Sequence, residues 1–397
     1  MQRSTDRMYT THVGSLARPS ALLDLMRAAA AGEPVDETER AEAERQAVAN
    51  VVARQRSAGL DVISDGEQTK TGFFAYIGER LSGFSPRPGR DPLAGFRAEI
   101  DSFPEYYEQY LAGAMTGGMA APAVPLACTG PVSYTGHERL ARDLELLRAA
   151  VGDADPDQVF ACAVAPSGVG GNEYYPTEAA YLDAVADALH EEYAAIVAAG
   201  FTLQIDDPFL TDVFSYGAGS PRDTLERARL YVSAINRSLA GIPPERVRLH
   251  TCYGINEGPR VHDAPLAEYV DTLFTIRAGA FSFEAANPRH EHVYHVFESV
   301  KPPRDAVLLP GVISHATNIV PPRHHRGPDR QVRRSSAGRT WWPAPTAASP
   351  PRPRTGRRST RRSSGPSSSH WSRAPAGPPP GCGASRGRRR RSAVRRR

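Results

Sequence analysis

TEAAYLDAVADALHEEYAAIVAAGFTLQIDDPFL, residues 177–210, contains one complete structural unit. Ala184, Val185, Ala188, Leu189, Tyr193 and Ile196 recur at helical spacing, which predicts a helix over Thr177–Ala199. Gly200 is placed to stop that helix. Thr202–Ile205 then predicts a short buried strand, and Asp206 and Asp207 follow it at once. Helix, glycine, strand and a polar residue at the strand's end is the order of one step in a parallel α/β fold.

The same rhythm extends in both directions. Strands are predicted at Tyr9–Val13, Asp61–Ser64, Val124–Thr129, Val159–Val164, Thr202–Ile205, Arg246–Thr251, Ala280–Glu284 and Ala306–Val312, and a second long helix at Glu37–Ala58. Eight such units close a TIM-type (β/α)8 barrel, unless one strand is an excursion. Pro86–Met119 opens with Pro86 and Pro88, carries Tyr106, Tyr107 and Tyr110, and reads as an insertion over the barrel mouth. After Val320 the periodicity vanishes: Pro, Arg, Ser and Gly dominate to Arg397, a composition that cannot bury a core and predicts disorder. The expected organisation is therefore a barrel over residues 1–320 and a basic tail over 321–397.

The formal net charge of +4 hides two opposite halves. From Pro321 onward there are 21 arginines, no lysine and one acid, Asp329, about +20, which leaves the body near −16. The start, MQRSTDRMYTTHVGSL, lacks the apolar run of a secretory signal or anchor, and no stretch is long enough to span a bilayer. Cys128, Cys162, Cys252 and Cys382 have no framework spacing, so a reducing cytoplasm is the expected setting.

Polar residues cluster directly after the strand runs: Gly14 and Ser15, Asp65 and Glu67, Asp206 and Asp207, His250 and Cys252, Glu284, His315. In a parallel barrel the carboxyl ends of the strands converge on one face, so this shared phase predicts a common site. Strand alternation points His250 and Cys252 to the same side, where imidazole and thiolate can bind one metal. A lone His-x-Cys is more often a buried thiol beside a structural histidine. Glu284, at the end of the next strand, tips that balance towards a zinc site. For Asp65 and Asp207, capping or turn roles are equally compatible with the sequence.

Six motifs in order, Thr-His12-Val-Gly14-Ser15, Ser-Asp65-Gly-Glu67, Thr-Gly130-Pro-Val, Gln204-Ile-Asp206-Asp207-Pro208, His250-Thr-Cys252-Tyr-Gly and Phe-Ser-Phe-Glu284, resemble the catalytic barrel of the cobalamin-independent methionine synthases, especially their shorter single-barrel members. The likeness spans roughly Thr10 to Val320. It implies a barrel with zinc held by His250, Cys252, Glu284 and a second cysteine, and methyl transfer from 5-methyltetrahydrofolate, or its polyglutamate, to homocysteine. An alkyl thiol is mostly protonated at neutral pH and a zinc-bound one is not, so the metal accounts for the nucleophile. The methyl group leaves a tertiary amine only if that nitrogen is protonated, so an acid must stand nearby. His315 resembles the family's proton donor, although it also reads as an ordinary loop histidine. Asp206 fits the carboxylate that holds the acceptor's amino group, the Gly14–Ser15 turn can offer N–H groups to its carboxylate, and Glu67 can serve either substrate. Zinc-dependent alkyl transfer to another thiol is the close alternative.

The same resemblance calls for a last strand bearing the second cysteine, in a setting like Gly-Thr-Asp-Cys-Gly-Phe, and the chain lacks it. Cys382, in Pro-Gly-Cys-Gly, does not match. Back-translating Thr340-Trp-Trp-Pro-Ala-Pro-Thr-Ala-Ala-Ser349 and starting at each third codon position allows Val-Val-Ala-Gly-Thr-Asp-Cys-Gly-Phe. The two tryptophan codons leave little freedom in that reading. A frameshift near Val320, in GC-rich coding DNA, explains both the missing motif and the lysine-free tail. The rival reading is an arginine-rich tail that contacts nucleic-acid phosphates.

Overall fold

A computed structural model describes residues 7–73, 75–91, 94–110, 125–253 and 259–313, with the backbone of Ala344–Pro345. All of these belong to one compact unit, Met1–Arg352. His315, Cys382 and the remainder of the basic segment lie outside the described residues.

The strands are β1 (Leu81–Pro86), β2 (Leu126–Tyr134), β3 (Phe160–Val164), β4 (Gly171–Asn172), β5 (Thr202–Asp206), β6 (Val247–His250), β7 (Ala280–Glu284), β8 (Val307–Ile313) and β9 (Ala344–Pro345). One sheet runs β3-β5-β6-β7-β8-β9 with every neighbour parallel. Two isolated parallel bridges, Thr11 to Val62 and Ile63 to Val159, continue it beyond β3. Eight parallel positions therefore follow one another in chain order. Every residue of β3, β5 and β7 is buried, as expected of parallel strands covered on both faces.

Arg248 shows that this sheet curls. It stands on β6, fifth of the eight positions, and its guanidinium donates to Thr11 Oγ1 at 3.2 Å and to the His12 carbonyl at 3.0 Å, on the first. In a flat sheet those positions would lie roughly 19 Å apart, four strand spacings, beyond the reach of any side chain. The guanidinium also lies 4.0 Å over the Phe160 ring, so the interior is filled.

Local signals set the helices. Thr177 Oγ1 accepts the Ala180 N–H at 3.1 Å to cap Glu178–Ala198. Asp36 caps Glu37–Ser57 by accepting from Thr38 and Glu39. Gly200 (φ +92°) and Gly59 (φ +78°) end these two helices in the left-handed conformation that glycine adopts without strain, each just before a strand position.

Three expectations need correction. Val124–Thr129 is not a barrel strand: β2 pairs antiparallel with β1 and parallel with β4 in a separate three-stranded sheet. Ala127 and Cys128 pack into the core, but several later β2 residues face outwards, which suits a half-covered sheet. Gly83 allows the close pairing there, since a Cβ on it would stand 2.5 Å from the Pro131 carbonyl oxygen. Tyr9–Val13 and Asp61–Ser64 contribute single bridges rather than ladders. The Asp61 carboxylate takes the Thr10 N–H at 2.7 Å and the Thr10 hydroxyl at 3.0 Å, supplementing the sparse backbone pairing.

The insertion begins inside β1 and continues as short helices Arg97–Ser102 and Pro104–Gln109. Glu99 accepts the N–H groups of Val261 and His262, and the Tyr107 hydroxyl donates to the Pro259 carbonyl. It thus docks on the segment that follows β6, beside the carboxyl ends of the strands.

Candidate active site

Among the described residues, one set of His, Cys, Asp and Glu ligand atoms lies mutually within 4.8 Å: Glu67, Cys162 and Asp206. Gly14 closes the set from the side. A Cβ there would come within 2.8 Å of Glu67 Oε1 and 3.0 Å of Cys162 Sγ, so no larger residue fits. Gln204, fully buried on β5, donates through Nε2 to Asp206 Oδ1 at 2.7 Å, to Cys162 Sγ at 3.3 Å and to the Val13 carbonyl. Glu67 itself has φ +54°, a left-handed backbone rare for a non-glycine residue, following Gly66 at φ +62°. Its N–H donates to Asp65 Oδ1 at 2.9 Å, which holds the turn.

Two buried cations bracket these acids. Lys70 Nζ donates to the Cys162 carbonyl at 2.6 Å and stands 3.4 Å from Glu67 Oε2. Burial works against its charge, but Glu67 and other neighbours outweigh burial and raise its pKa well above the ordinary value. Arg248 is lowered to about 10 by burial and stays protonated at neutral pH. Burial first, then Asp206 and Glu67, push the Cys162 thiol well up, so it is a neutral thiol. Burial alone accounts for most of the rise of Asp65 to about 6.

Asp206 joins this set to the predicted metal ligands. Its Oδ1 lies 2.9 Å from His250 Nδ1, which assigns the proton to Nδ1 and the lone pair to Nε2. His250 pairs with Ser282 across β6 and β7, so Glu284 stands two residues further along the adjoining strand end. Glu284 Oε2 accepts from Asn287 Nδ2 at 2.7 Å and lies 3.9 Å from His290 Nε2. Cys252 is partly exposed, and its carbonyl accepts from the Thr211 hydroxyl.

The structure therefore brings Gly14, Glu67, Asp206 and His250 together. His250, Cys252 and Glu284 share one rim but are not drawn within the mutual distance of the Glu67 set. As an imidazole, a thiol and a carboxylate, two of them already oriented by hydrogen bonds, they fit the donor chemistry of zinc. Ser15 is half-buried beside Gly14. Asp207 acts structurally: it accepts from Ser167, Phe209 and Leu210, while burial raises it to about 6.

Sequence reasoning assigned no role to Lys70, Cys162, Gln204 or Arg248, although Gln204 opens one of the quoted motifs. The last three lie inside strands rather than after them. A signal existed for two: Gln204 and Arg248 interrupt the otherwise apolar runs Leu203–Ile205 and Val247–Leu249.

A curled parallel α/β sheet whose polar side chains meet at the carboxyl ends of its strands defines a barrel-type enzyme scaffold. The family model "Cobalamin-independent synthase, Catalytic domain" matches residues 8–89. A "Methionine synthase" of Sulfolobus acidocaldarius is 26% identical over 246 residues, 62% of this chain and 61% of that protein. A "5-methyltetrahydropteroyltriglutamate--homocysteine methyltransferase" of Mycobacterium tuberculosis is 39% identical over 75 residues, 19% of this chain and 10% of that protein. Among solved structures, a putative vitamin-B12 independent methionine synthase from Listeria monocytogenes shares the fold at TM-score 0.59 and 20% identity, over 86% of this chain and 92% of that one. A B12-independent methionine synthase from Shewanella, in complex with selenomethionine, does so at TM-score 0.58 and 18% identity, over 85% and 89%. Residues 8–89 thus resemble the catalytic domain of the cobalamin-independent synthases, and the fold resembles that of the two solved methionine synthases. The chain spans about three-fifths of the length of the Sulfolobus protein it matches. No described helix is long and apolar enough to cross a membrane.

Proposed function

We propose that this protein transfers a methyl group from 5-methyltetrahydrofolate, or its polyglutamate, to the thiol of homocysteine, forming methionine. The observation that carries the reading is the convergence of Gly14, Glu67, Asp206 and His250 on one point of the rim. Glu67 and Asp206 hold the acceptor's amino group between two carboxylates, and Gly14–Ser15 offers backbone N–H groups to its carboxylate. Lys70 fixes Glu67 from behind, and Gln204 fixes Asp206. Selenomethionine in the Shewanella relative is of the same ligand class as the proposed product.

His250, Cys252 and Glu284 would hold zinc, which supplies a thiolate at neutral pH when the acceptor binds it. His315 is proposed as the acid that protonates the donor's amine nitrogen. Donation of the His250 Nδ1–H to Asp206 leaves Nε2 to face a metal.

Cys252→Ala is the test of this assignment. In the frame-restored chain it is expected to abolish stoichiometric zinc and methyl transfer together, measured by elemental analysis and by methionine formation. Full zinc content in the variant contradicts the ligand assignment. Transfer only from another alkyl donor contradicts the proposed substrate.

A further inference from the structure

We infer that Asn287 is a positioning residue for the proposed metal site: it sets the carboxylate of Glu284 from a turn that also braces the Cys252 end of β6. The inference rests on the reading of Glu284 as a zinc ligand.

The orientation of the Asn287 amide is fixed independently of Glu284. Its Oδ1 accepts the N–H of Arg289 at 2.9 Å and of His290 at 3.1 Å. Since both backbone groups can only donate, Oδ1 must face them, and Nδ2 must face Glu284 Oε2, 2.7 Å away. Asn287 is 2% exposed and Glu284 5%, so water competes poorly for this bond. A buried hydrogen bond to a carboxylate oxygen is among the stronger kinds, and it holds Oε2 in place.

The same turn reaches the other ligand-bearing strand. The Asn287 carbonyl accepts from His290 and Glu291, which closes residues 287–291 into a compact loop. The loop presents the His290 ring, which stacks on Tyr253 with centroids 4.0 Å apart and planes 6° from parallel. Tyr253 directly follows Cys252. His290 Nε2 is anchored at 3.0 Å by Asp263 Oδ2, and Asp263 is in turn held by Arg260 at 2.7 Å. One side chain, Asn287, thus orders a loop that touches Glu284 directly and the Cys252–Tyr253 corner through a stacked ring. Groups that orient metal ligands in this way typically change metal affinity by 10–100-fold when removed.

Asn287→Ser separates positioning from turn formation. Serine still caps the turn through its hydroxyl but is too short to reach Glu284; Asn287→Ala loses both functions. Zinc affinity is measured by chelator competition, and apo-protein melting in parallel, on the full-length chain and on its frame-restored form. The expected result is about 10–100-fold weaker zinc binding in Asn287→Ser with apo melting close to the parent, and loss of both in Asn287→Ala. Parent-like zinc affinity in Asn287→Ser overturns the inference alone. A frame-restored parent that takes up no zinc overturns both it and the metal reading beneath it.

Discussion

His12 is buried near Arg248, and its chemistry departs far from its ordinary state. Burial, reinforced by Arg248, lowers its pKa from 6.5 to about 3, and the ring packs 5.3 Å from Phe160 with Nε2 at 3.3 Å from the Ser64 hydroxyl. The unfolded imidazole takes a proton near 6.5 and the folded one only near 3, so the unfolded state binds more protons between those values. Stability from this group is therefore complete above about pH 7 and is lost as pH falls towards 3. Asp65 and Asp207, raised to about 6, act in the opposite sense, so the comparison must be with a variant that keeps them. Relative to His12→Asn, the parent should lose about 2 kcal/mol of unfolding free energy between pH 7 and pH 5, read from urea titrations. Parallel curves for the two proteins would place the imidazole in a solvated setting instead. At this scale the sequence announced residues after strand ends, where Gly14, Glu67, Asp206 and His250 indeed meet. It did not announce Cys162, because a thiol in an apolar strand is indistinguishable from a small core residue until its neighbours across the barrel are known.

Elements were legible where punctuation and period agreed. Helix Glu178–Ala198, Gly200 and strand β5 follow the sequence reading to within a residue or two, and the structure adds the Thr177 cap. Removing that cap by Thr177→Ala should lower stability by about 1 kcal/mol, by denaturant titration, without moving the site. No change would mean that packing on the neighbouring helix Pro221–Ser238 alone sets the helix start. β2 was misread for a physical reason: its first residues are as buried as those of a barrel strand, and its true partner β1 is brought back by an intervening segment with no periodicity. Arg248 and Gln204 show the complementary limit, since polar groups inside a strand acquire meaning only when curvature brings opposite strands together.

The whole molecule turns on its last strand. β9 is two residues long, Ala344–Pro345, and pairs parallel with Gly311 and Ile313 of β8, a seven-residue strand. The eighth sheet position thus falls on residues whose codons, in the alternative frame, overlap the Gly-Thr of Gly-Thr-Asp-Cys-Gly-Phe. Among the described residues, Ala344–Pro345 pair only with Gly311 and Ile313 on this side of β8, and exposed edges favour aggregation. The restored frame would supply a longer strand and the second cysteine together, so fold and metal site should improve in step. The proposed account predicts that the frame-restored chain is soluble and zinc-loaded, while the 397-residue chain is insoluble or inactive. The most direct measurement follows label from the methyl group of 5-methyltetrahydrofolate into product, with homocysteine as acceptor and the two chains side by side. Labelled methionine from the zinc-loaded, frame-restored chain, and none from the 397-residue chain, is the result expected. A soluble, zinc-loaded and fully active 397-residue chain, or label transfer from neither protein, would contradict it.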